Sequence, residues 1–477
     1  MEQRVKHANQ LKNGKACDLR EALAGGRTNN LRFHYKAEDD EVIRYLDVTS
    51  EYPYVLKNRK YPLGNPKVIN RNFETLENYF GFVKCKVLPP KDLFLPVLPM
   101  KINEKLAFVL CEECAKNSNQ VDCTHTDEQR CLTSTWTTIE LQEALERGYK
   151  IVEIYQVLHY ETTSDELFKA YINMWLEVKQ LASGMPPELR SDPVKQAEFF
   201  REYFEREGIQ LNPEEMVENK GLRFIAKLML NSFWGKLAQR ANMPSTTLCK
   251  TQHEFYSLLC QAEQGEITIK GVKVMNDEAI LVSHEKTDLK DCSPGNTNVA
   301  IASFVTSYAR LHLYKHLDIV VQSNPQHLLY FDTDSVIFVE KRGQNLMQTG
   351  HFLGEMTDEV ADYGEGAYIR EFVSGGPKNY CYLVVKPDGT IVVVTKTKGI
   401  RADGEVLKTI TLETMLRFVK AYINNVKLSL QVKQHRFCVN PATHEVFSAD
   451  VFKIYRVVSE KRRVCGNATL PFGYVSP

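Results

Sequence analysis

The sequence has little that would place the protein in a membrane or outside the cell. No run of 18 apolar residues occurs, and the nearest candidate, 92–110, is interrupted by Pro96, Pro99 and Lys101, so no membrane-spanning helix is expected. The first twenty residues are charged and contain no apolar segment of the kind found in secretory signals. Twelve cysteines in 477 residues do not form a disulfide scaffold. We therefore expect an intracellular protein without a membrane partner.

A net charge is also lacking, because 60 Lys and Arg balance 60 Asp and Glu. A nucleic-acid-binding surface, which is usually basic, must therefore be local if it exists. No repeat or low-complexity tract appears, which argues against a solenoid. The hydrophobic fraction of 43% is sufficient for a globular core. At about three times a typical domain length, the chain suits one or two large domains or a lobed enzyme.

Helical and strand patterns alternate and predict an α+β fold whose sheet is assembled from distant segments. A strand ending in a polar turn is expected within 41–56, paired strands within 266–284, and a helix at 298–316. Two further helices are predicted at 164–181, with Ser164 as N-cap, and at 212–239, with Asn212 as N-cap. In the second, one apolar stripe is expected to be buried: Leu222, Ile225, Ala226, Met229, Leu230 and Phe233.

Two acidic residues interrupt an apolar stretch in the second half of the chain. Asp332 and Asp334 lie between the apolar residues 328–331 and 336–339. This pattern predicts two buried strands joined by a tight turn that carries both carboxylates, although Asp and Ser are also simply good turn residues. Close carboxylates repel one another, which raises a pKa unless a cation is present. The pair therefore predicts a divalent metal site.

A third acid, Asp47, ends the apolar segment 42–46. An Asp in this position is often only a turn or cap residue. On a strand adjacent to Asp332 and Asp334, however, it would complete a site for two Mg²⁺ ions roughly 3.5 to 4 Å apart.

A stripe of polar residues follows the predicted helix 212–239. Arg223, Lys227, Asn231 and Gly235 recur every four residues and so lie on one face. Such a stripe is either a solvated basic face or a set of cations that bind phosphates opposite the metal site.

Three segments together resemble the motifs of family B DNA polymerases. Residues 47–53 (DVTSEYP) resemble motif A, 227–235 (KLMLNSFWG) motif B and 330–335 (YFDTDS) motif C, in the order of the family. Residues 306–310 (TSYAR), 378–380 (KNY) and the Gly25–Gly26 pair are similar to further elements of the protein-primed branch, found in phages, linear plasmids and large DNA transposons. Six short motifs in order make the resemblance specific.

The resemblance implies a right-hand fold with an antiparallel-sheet palm, helical fingers and a small thumb. It also implies a DNA-templated DNA polymerase that adds dNTPs to a 3′-hydroxyl and replicates a mobile or viral-like element. The expected domains are an N-terminal segment (1–40), a first palm segment (41–84), an insertion (85–160), fingers (161–240), a second palm segment (241–395) and a thumb (396–477). Expected partners are primer-template DNA, dNTPs and a terminal priming protein, and the expected cofactor is a pair of Mg²⁺ ions, with Mn²⁺ as an alternative.

The resemblance also implies roles for individual residues. Asp47, Asp332 and Asp334 would be catalytic, and Asp47, Asp334 and the Val48 carbonyl would bind the Mg²⁺ ions. The nucleotide would contact Tyr52, which excludes a 2′-hydroxyl, together with Arg223, Lys227 and Asn231. The DNA would contact Gly25, Gly26, Thr306, Arg310, Lys378, Tyr380 and Lys398, with Lys396, Arg401 and Lys236 as further cations of the cleft. The basic segment 460–463 (EKRR) would lie near the thumb or be ordinary surface charge.

Some positions depart from the family pattern. Glu51 replaces Leu in motif A, Trp234 replaces Tyr in motif B, and Leu23 stands where the branch has Tyr before its glycine pair. Fewer than 50 residues precede motif A, so no proofreading exonuclease domain is expected. Two alternatives stay open: a catalytically inactive DNA-binding remnant, and a reverse transcriptase, which would more often carry adjacent aspartates at the hairpin.

A second metal site is predicted within the insertion. Cys111, Cys114, Cys123 and His125 form a C-x-x-C and C-x-H arrangement, with Cys131 as a spare ligand. Four nitrogen or sulfur ligands suit tetrahedral Zn²⁺ in a structural role. Reduced intracellular cysteines beside a surface histidine are the alternative.

Overall fold

The computed structural model describes residues 14–186, 189–240, 243–287, 297–402, 404–440 and 445–476, so the beginning of the predicted N-terminal segment, 1–13, lies outside the described residues. Helices and strands are mixed, which confirms the predicted α+β class. The strands are β1 (Thr28–Asn30), β2 (His34–Lys36), β3 (Glu41–Val48), β4 (Tyr61–Leu63), β5 (Lys67–Ile69), β6 (Gly81–Leu88), β7 (Pro99–Ile102), β8 (Lys105–Phe108), β9 (Leu132–Thr137), β10 (Lys150–His159), β11 (Thr162–Ser164), β12 (Ser245–Cys249), β13 (Ile267–Asn276), β14 (Ala279–Lys286), β15 (Leu328–Asp332), β16 (Ser335–Lys341), β17 (Met356–Asp358), β18 (Tyr368–Ser374), β19 (Tyr380–Val385), β20 (Ile391–Lys396), β21 (Leu430–Val439), β22 (Val446–Tyr455), β23 (Arg463–Cys465) and β24 (Ala468–Leu470).

The α-helices range from single turns to a helix of 25 residues. They are α1 (Leu19–Ala22), α2 (Glu51–Asn58), α3 (Glu112–Lys116), α4 (Asp127–Arg130), α5 (Thr138–Glu146), α6 (Lys169–Leu181), α7 (Pro193–Glu207), α8 (Lys220–Leu237), α9 (Gln252–Glu263), α10 (Val299–Ser323), α11 (Gly404–Thr409) and α12 (Leu412–Ile423). Short 3₁₀ turns occur at Leu76–Asn78, Pro213–Glu215, Pro325–His327 and Ala361–Tyr363.

The central sheet is antiparallel and draws its strands from distant parts of the chain. Its order is β1-β15-β16-β3-β18-β19-β20, with β17 also pairing to β3 and β2 to β18. Strands from before residue 50 are thus interleaved with strands from after residue 327. This confirms the prediction of a sheet assembled from separated segments.

The central strands are buried on both faces. Residues of β15 and β16 divide between two apolar clusters, so that Phe331 and Val336 pack in one and Tyr330 and Ile337 in the other. Strands covered on both sides read as continuous apolar runs. The two runs that flank Asp332 and Asp334 in the sequence are therefore explained.

The chain divides into two compact units. One comprises Met1–Asn231 and Ser303–Pro477, and the other Ser232–Ala302. The smaller unit contains the antiparallel sheet β12-β14-β13 and helix α9. The predicted second palm segment, 241–395, therefore includes a small sheet, β12-β14-β13, that is separate from the central sheet.

Two helix starts were not predicted from the sequence, that of α2 at Glu51 and that of α6 at Lys169. The strand predicted within 41–56 does end in a polar turn, because β3 ends at Val48. The sequence did not predict helix α2, which begins at Glu51 with Pro53 in its first turn, where proline needs no hydrogen-bonded amide. Ser164 is the last residue of β11 rather than an N-cap, and helix α6 begins at Lys169.

The helix predicted from Asn212 begins later. Asn212 caps the short 3₁₀ turn Pro213–Glu215, and the side chain of Asn219 accepts a hydrogen bond of 3.0 Å from the amide of Leu222. The predicted buried stripe is wrong in part, because only Ala226 and Leu230 are buried, whereas Leu222 and Ile225 are more than 40% exposed. Within the described residues, no helix has the length and apolar character needed to cross a bilayer.

Candidate active site

The predicted hairpin forms, with two residues at its tip. Asp332 ends β15 and Ser335 begins β16, and the two pair across the turn. Thr333 has a φ of +64°, a left-handed conformation that is uncommon for a threonine. Its amide donates a 2.7 Å hydrogen bond to the carbonyl of Arg27. The tip is therefore held by the segment that precedes β1.

Strand register brings Asp47 to this tip. In the β3–β16 ladder, Asp47 lies opposite Ser335. The amide of the next residue, Val48, donates a 2.8 Å hydrogen bond to the carbonyl of Asp334. The structure thus brings together the three acids that the sequence separates by almost 300 residues.

The carboxylates of Asp47 and Asp334 interact as like charges. Burial, together with the charges of Asp334 and Glu359, raises the pKa of Asp47 to about 7, while Lys227 and Lys396 oppose the shift. Burial, followed by Glu51 and Asp332, raises the pKa of Asp334 to about 6. Hard oxygen donors with uncompensated negative charge are the ligands that Mg²⁺ prefers. The donor set therefore fits the expected cofactor.

Asp332 is held by three hydroxyl donors and one lysine. Its Oδ1 accepts hydrogen bonds from the hydroxyls of Thr28, at 2.7 Å, and Thr333, at 3.2 Å. The hydroxyl of Tyr330 donates to Oδ2 at 3.3 Å. Lys378 reaches the same carboxylate, with Nζ 3.5 Å from Oδ1.

The acids lie in an open cleft of about 600 Å³ whose other walls come from β19, β20 and the following turn. Tyr380 lines it and shares a 3.0 Å hydrogen bond with the hydroxyl of Tyr45. Lys396 and Lys398 also line the cleft and are solvent-accessible. The predicted cations Lys378, Lys396 and Lys398 therefore do gather beside the carboxylates.

The glycine pair has a packing role that the sequence did not reveal. A Cβ on Gly26 would lie 2.7 Å from the side chain of Thr333, whereas a Cβ on Gly25 would meet nothing within 4 Å. Gly26 therefore allows the 25–27 segment to approach the hairpin tip.

Tyr52 and Glu51 follow motif A at the start of α2. Tyr52 is half-buried, and burial together with the Asp334 charge raises its pKa to about 12. Glu51, the departure from the family pattern, is buried and lies 2.7 Å from Nδ1 of His312 on α10. Burial raises the pKa of Glu51 and lowers the pKa of His312 to about 4. No sequence pattern indicated this pair.

The polar stripe of α8 is exposed. Arg223, Lys227 and Asn231 are all solvent-accessible, and Lys227 is close enough to lower the pKa of Asp47. Lys179 on α6 is a further cation nearby, because burial and then the charges of Arg223 and Lys227 lower its pKa. Sequence reasoning missed Lys179.

The predicted DNA contacts of Thr306 and Arg310 are not supported by their positions. Both residues are no more than 2% exposed. Arg310 forms a two-pronged ion pair with Glu140, at 2.8 and 2.9 Å, and donates to the carbonyls of Ala24 and Gly25. Arg310 therefore anchors the main chain of the segment that contains Gly25 and Gly26.

The basic segment 460–463 is also mostly internal. Arg462 and Arg463 are buried. Lys461 is half-buried, and its pKa is lowered by burial and then by Lys398. Of the cations in this segment, Lys461 lines the groove that also contains Lys398 and Lys378.

The predicted cysteine and histidine ligands converge. The ligand atoms of Cys111, Cys114, Cys123 and His125 all lie within 4.8 Å of one another. The spare ligand, Cys131, instead hydrogen-bonds to the carbonyl of Asp127 at 3.1 Å.

Comparison with known proteins identifies the family and the fold of the chain. The family model "DNA polymerase type B, organellar and viral" matches residues 2–189 and 195–322. Solved structures of Phi29 DNA polymerase share the fold: the complex with primer-template DNA aligns with a TM-score of 0.56 and 16% identity, covering 92% of this chain and 62% of that chain. A second, with primer-template DNA and incoming nucleotides, aligns with a TM-score of 0.56 and 15% identity, with the same coverage of 92% and 62%.

Curated relatives point the same way. A "Probable DNA polymerase" of Neurospora intermedia is 22% identical over 372 residues, which are 75% of this chain and 30% of the relative. One of Agaricus bitorquis is 22% identical over 366 residues, covering 71% of this chain and 37% of the relative. This chain thus spans about a third of the length of these relatives.

The fold is that of a right-hand polymerase, with an antiparallel palm sheet that carries the acids. The chain belongs to the organellar and viral type B DNA polymerases, as its motifs predict.

Proposed function

We propose that the protein is a DNA-templated DNA polymerase that adds dNTPs to a primer 3′-hydroxyl and releases pyrophosphate. The observation that carries the proposal is the β3–β16 register, which sets Asp47 beside the hairpin that bears Asp332 and Asp334. A reverse transcriptase is less favoured, because Thr333 separates the aspartates and itself hydrogen-bonds to Asp332.

In this proposal Asp47, Asp334 and the Val48 carbonyl hold two Mg²⁺ ions. When bound, the ions activate the attacking hydroxyl and stabilise charge on the leaving pyrophosphate. Lys227 and Arg223, on the exposed face of α8, bind the triphosphate from the opposite side, since phosphoryl transfer depends chiefly on positioning and charge stabilisation. Asn231, one turn further along α8, faces the nascent base pair.

The remaining residues position the DNA and the sugar. Tyr52 lies close enough to Asp334 for that charge to raise the pKa of the tyrosine. In this position Tyr52 selects against a 2′-hydroxyl. Lys378, Lys398 and Tyr380 line the cleft and bind the primer end. Gly26 and Arg310 act indirectly. Gly26 allows the 25–27 segment to approach the hairpin tip, and Arg310 anchors that segment.

We assign the central sheet to the palm, α6 to α8 to the fingers and residues from 396 onward to the thumb. We also propose, from the protein-primed branch that the motifs resemble, that a terminal protein supplies the priming hydroxyl during replication of a mobile or viral-like element.

The test is primer extension by the purified chain with Mg²⁺, dNTPs and a primed template. Asp334→Asn is expected to slow extension by about a thousandfold, because losing a metal ligand removes several kcal/mol of transition-state stabilisation. Asp388→Asn, a change in the exposed turn after β19, is the matched control and should be fully active. Wild-type protein that binds primed DNA but does not extend it would instead identify an inactive remnant.

A further inference from the structure

The geometry around His125 matches a bound metal ion. Nδ1 of His125 lies 3.4 Å from Sγ of Cys111, 3.2 Å from Sγ of Cys114 and 3.6 Å from Sγ of Cys123. A tetrahedral Zn²⁺ with Zn–S of about 2.3 Å and Zn–N of about 2.0 Å would hold sulfur and nitrogen about 3.5 Å apart. All three separations are thus those of the edges of a zinc tetrahedron.

Hydrogen-bond donors around the sulfurs suit thiolates. The amide of Cys114 donates to Sγ of Cys111 at 3.4 Å, and Nδ2 of Asn119 donates to Sγ of Cys114, also at 3.4 Å. Such outer contacts orient metal ligands and stabilise their charge. A disulfide would use only two of the three sulfurs and would give the imidazole no role.

We propose that Cys111, Cys114, Cys123 and His125 bind a structural Zn²⁺ ion, and that this ion fixes residues 117–126 as the anchor of the hairpin β23–β24. Residues 117–126 lie between α3 and α4 and form neither helix nor strand. A ten-residue segment without regular structure needs other constraints to stay ordered, and two of the four ligands, Cys123 and His125, belong to it.

The anchored segment contacts the hairpin through two polar interactions. Asp122 pairs with Arg463, with Oδ1 2.7 Å from Nη1, and the side-chain oxygen of Gln120 accepts a 2.9 Å hydrogen bond from the amide of Val464. Asp122 and Gln120 both lie within a few residues of the ligand Cys123. Ordering the ligands therefore orders the surface on which β23 rests.

The hairpin in turn completes the edge of the central sheet. The amide of Thr469 donates to the carbonyl of Leu31 at 2.8 Å, and its hydroxyl donates to the carbonyl of Asn30 at 2.7 Å. Asn30 belongs to β1, and β1 also contains Thr28, which holds Asp332. A continuous series of contacts thus connects the zinc site to the acid cluster.

The first experiment measures metal content in the purified chain. We expect about one zinc per chain, in agreement with a single four-ligand site. Cys114→Ser and Cys123→Ser should lose it, and Cys131→Ser, the matched control outside the cluster, should retain it. Replacement of the metal with Co²⁺ should give the absorption of a tetrahedral thiolate site, which provides a readout even where a serine variant fails to fold. Wild-type protein without zinc, or serine variants that keep it, would overturn the site.

The second experiment tests the anchor by hydrogen exchange. Removal of zinc by a chelator should speed amide exchange of residues 463–470 by about tenfold or more. Without its anchor, the hairpin β23–β24 should open locally more often, and each opening exposes its amides to solvent. Asp122→Asn should speed exchange at the same residues while zinc is retained. The separate hairpin β21–β22 serves as an internal reference and should be unchanged. Zinc loss without faster exchange at 463–470 would overturn the proposed coupling.

Discussion

Val48 and Asp334 are joined by a 2.8 Å hydrogen bond from the amide of the first to the carbonyl of the second. This bond lies just beyond the last pair of the β3–β16 ladder, where the strand of motif A meets the hairpin of motif C. Because both ends of the bond are main-chain atoms, it holds the two motifs in register whatever their side chains do. The main-chain positions from which the acids project are thus set by the sheet.

The metal-free protein should become less stable as the pH rises from about 4 to about 7. Asp47 has a pKa of about 7 when folded, against 3.8 normally, so the folded state binds more protons than the unfolded state in this range. The stabilisation is complete below pH 3.8 and is lost as the pH rises through about 7. In buffer that lacks Mg²⁺ but leaves zinc in place, the melting temperature at pH 8 should lie at least about 2 °C below that at pH 5.

Magnesium should reverse this loss, because it stabilises the charged carboxylates. Asp47→Asn should raise the melting temperature at pH 8 in the absence of Mg²⁺ and abolish the response to Mg²⁺, whereas Asp388→Asn should behave as wild type. A variant that still responds to Mg²⁺ would contradict the role of Asp47.

Gly26→Ala should impair extension without weakening DNA binding. Its Cβ would lie 2.7 Å from Thr333 and displace the hairpin tip, and small displacements at an active site can cost about a hundredfold in rate. Gly25→Ala is the matched control, since its Cβ meets no atom within 4 Å. Addition of Thr333→Gly should restore activity to Gly26→Ala, because glycine removes the clash and accepts the positive φ. Lack of rescue would mean that Gly26 acts otherwise, for example on the template.

Arg310→Ala should destabilise the fold rather than specifically weaken DNA binding. Removing one partner of a buried ion pair leaves Glu140 uncompensated, at a cost of about 3 to 5 kcal/mol. Arg310→Lys should restore only part of the stability, because lysine cannot reproduce the two-pronged contact. Urea unfolding measures the free energy of unfolding of each variant, and DNA titration measures its affinity for DNA. A stable variant with reduced DNA affinity would support the DNA contact that the sequence motif predicts.

Tyr52→Ala should admit ribonucleotides. Loss of the ring opens space beside Asp334, and discrimination against the 2′-hydroxyl should fall by about tenfold or more. Tyr52→Phe retains the ring and should retain discrimination. The measurement is kcat/KM for matched dNTP and rNTP; an unchanged ratio in Tyr52→Ala would remove this assignment.

Lys378→Ala and Lys398→Ala should each weaken DNA binding in a salt-dependent manner. Each lost phosphate contact should reduce the slope of log affinity against log salt by about 1. Lys408→Ala, an exposed change on α11, is the control. Titrations of labelled primer-template at several salt concentrations provide the slopes, and slopes equal to wild type would exclude both lysines from the DNA surface.

Much of the acid cluster was predictable because its determinants are local. The apolar runs around Asp332 and Asp334 specify two strands and a turn, and motif order then relates Asp47 to them. The short spacing from Cys111 to His125 along the chain likewise made it possible to predict that these ligand atoms converge.

What the sequence could not predict depends on long-range packing. Arg310 looks like a surface cation until Glu140 is found beneath it, 170 residues away. Glu51 looks like an anomaly in motif A until His312 is found opposite. The exposed Leu222 and Ile225 follow the same rule, because helical periodicity shows which residues share a face but not whether another element covers that face.

The bond between Thr469 and Asn30 spans 439 positions of the chain. During translation, another 439 residues must therefore follow Asn30 before this contact to the strand that supports Asp332 can form. Until then the outer edge of β1, the edge strand of the central sheet, lacks this contact, and exposed strand edges favour aggregation. Synthesis of this protein should accordingly depend on chaperones that shield β1 until residues 463–470 emerge.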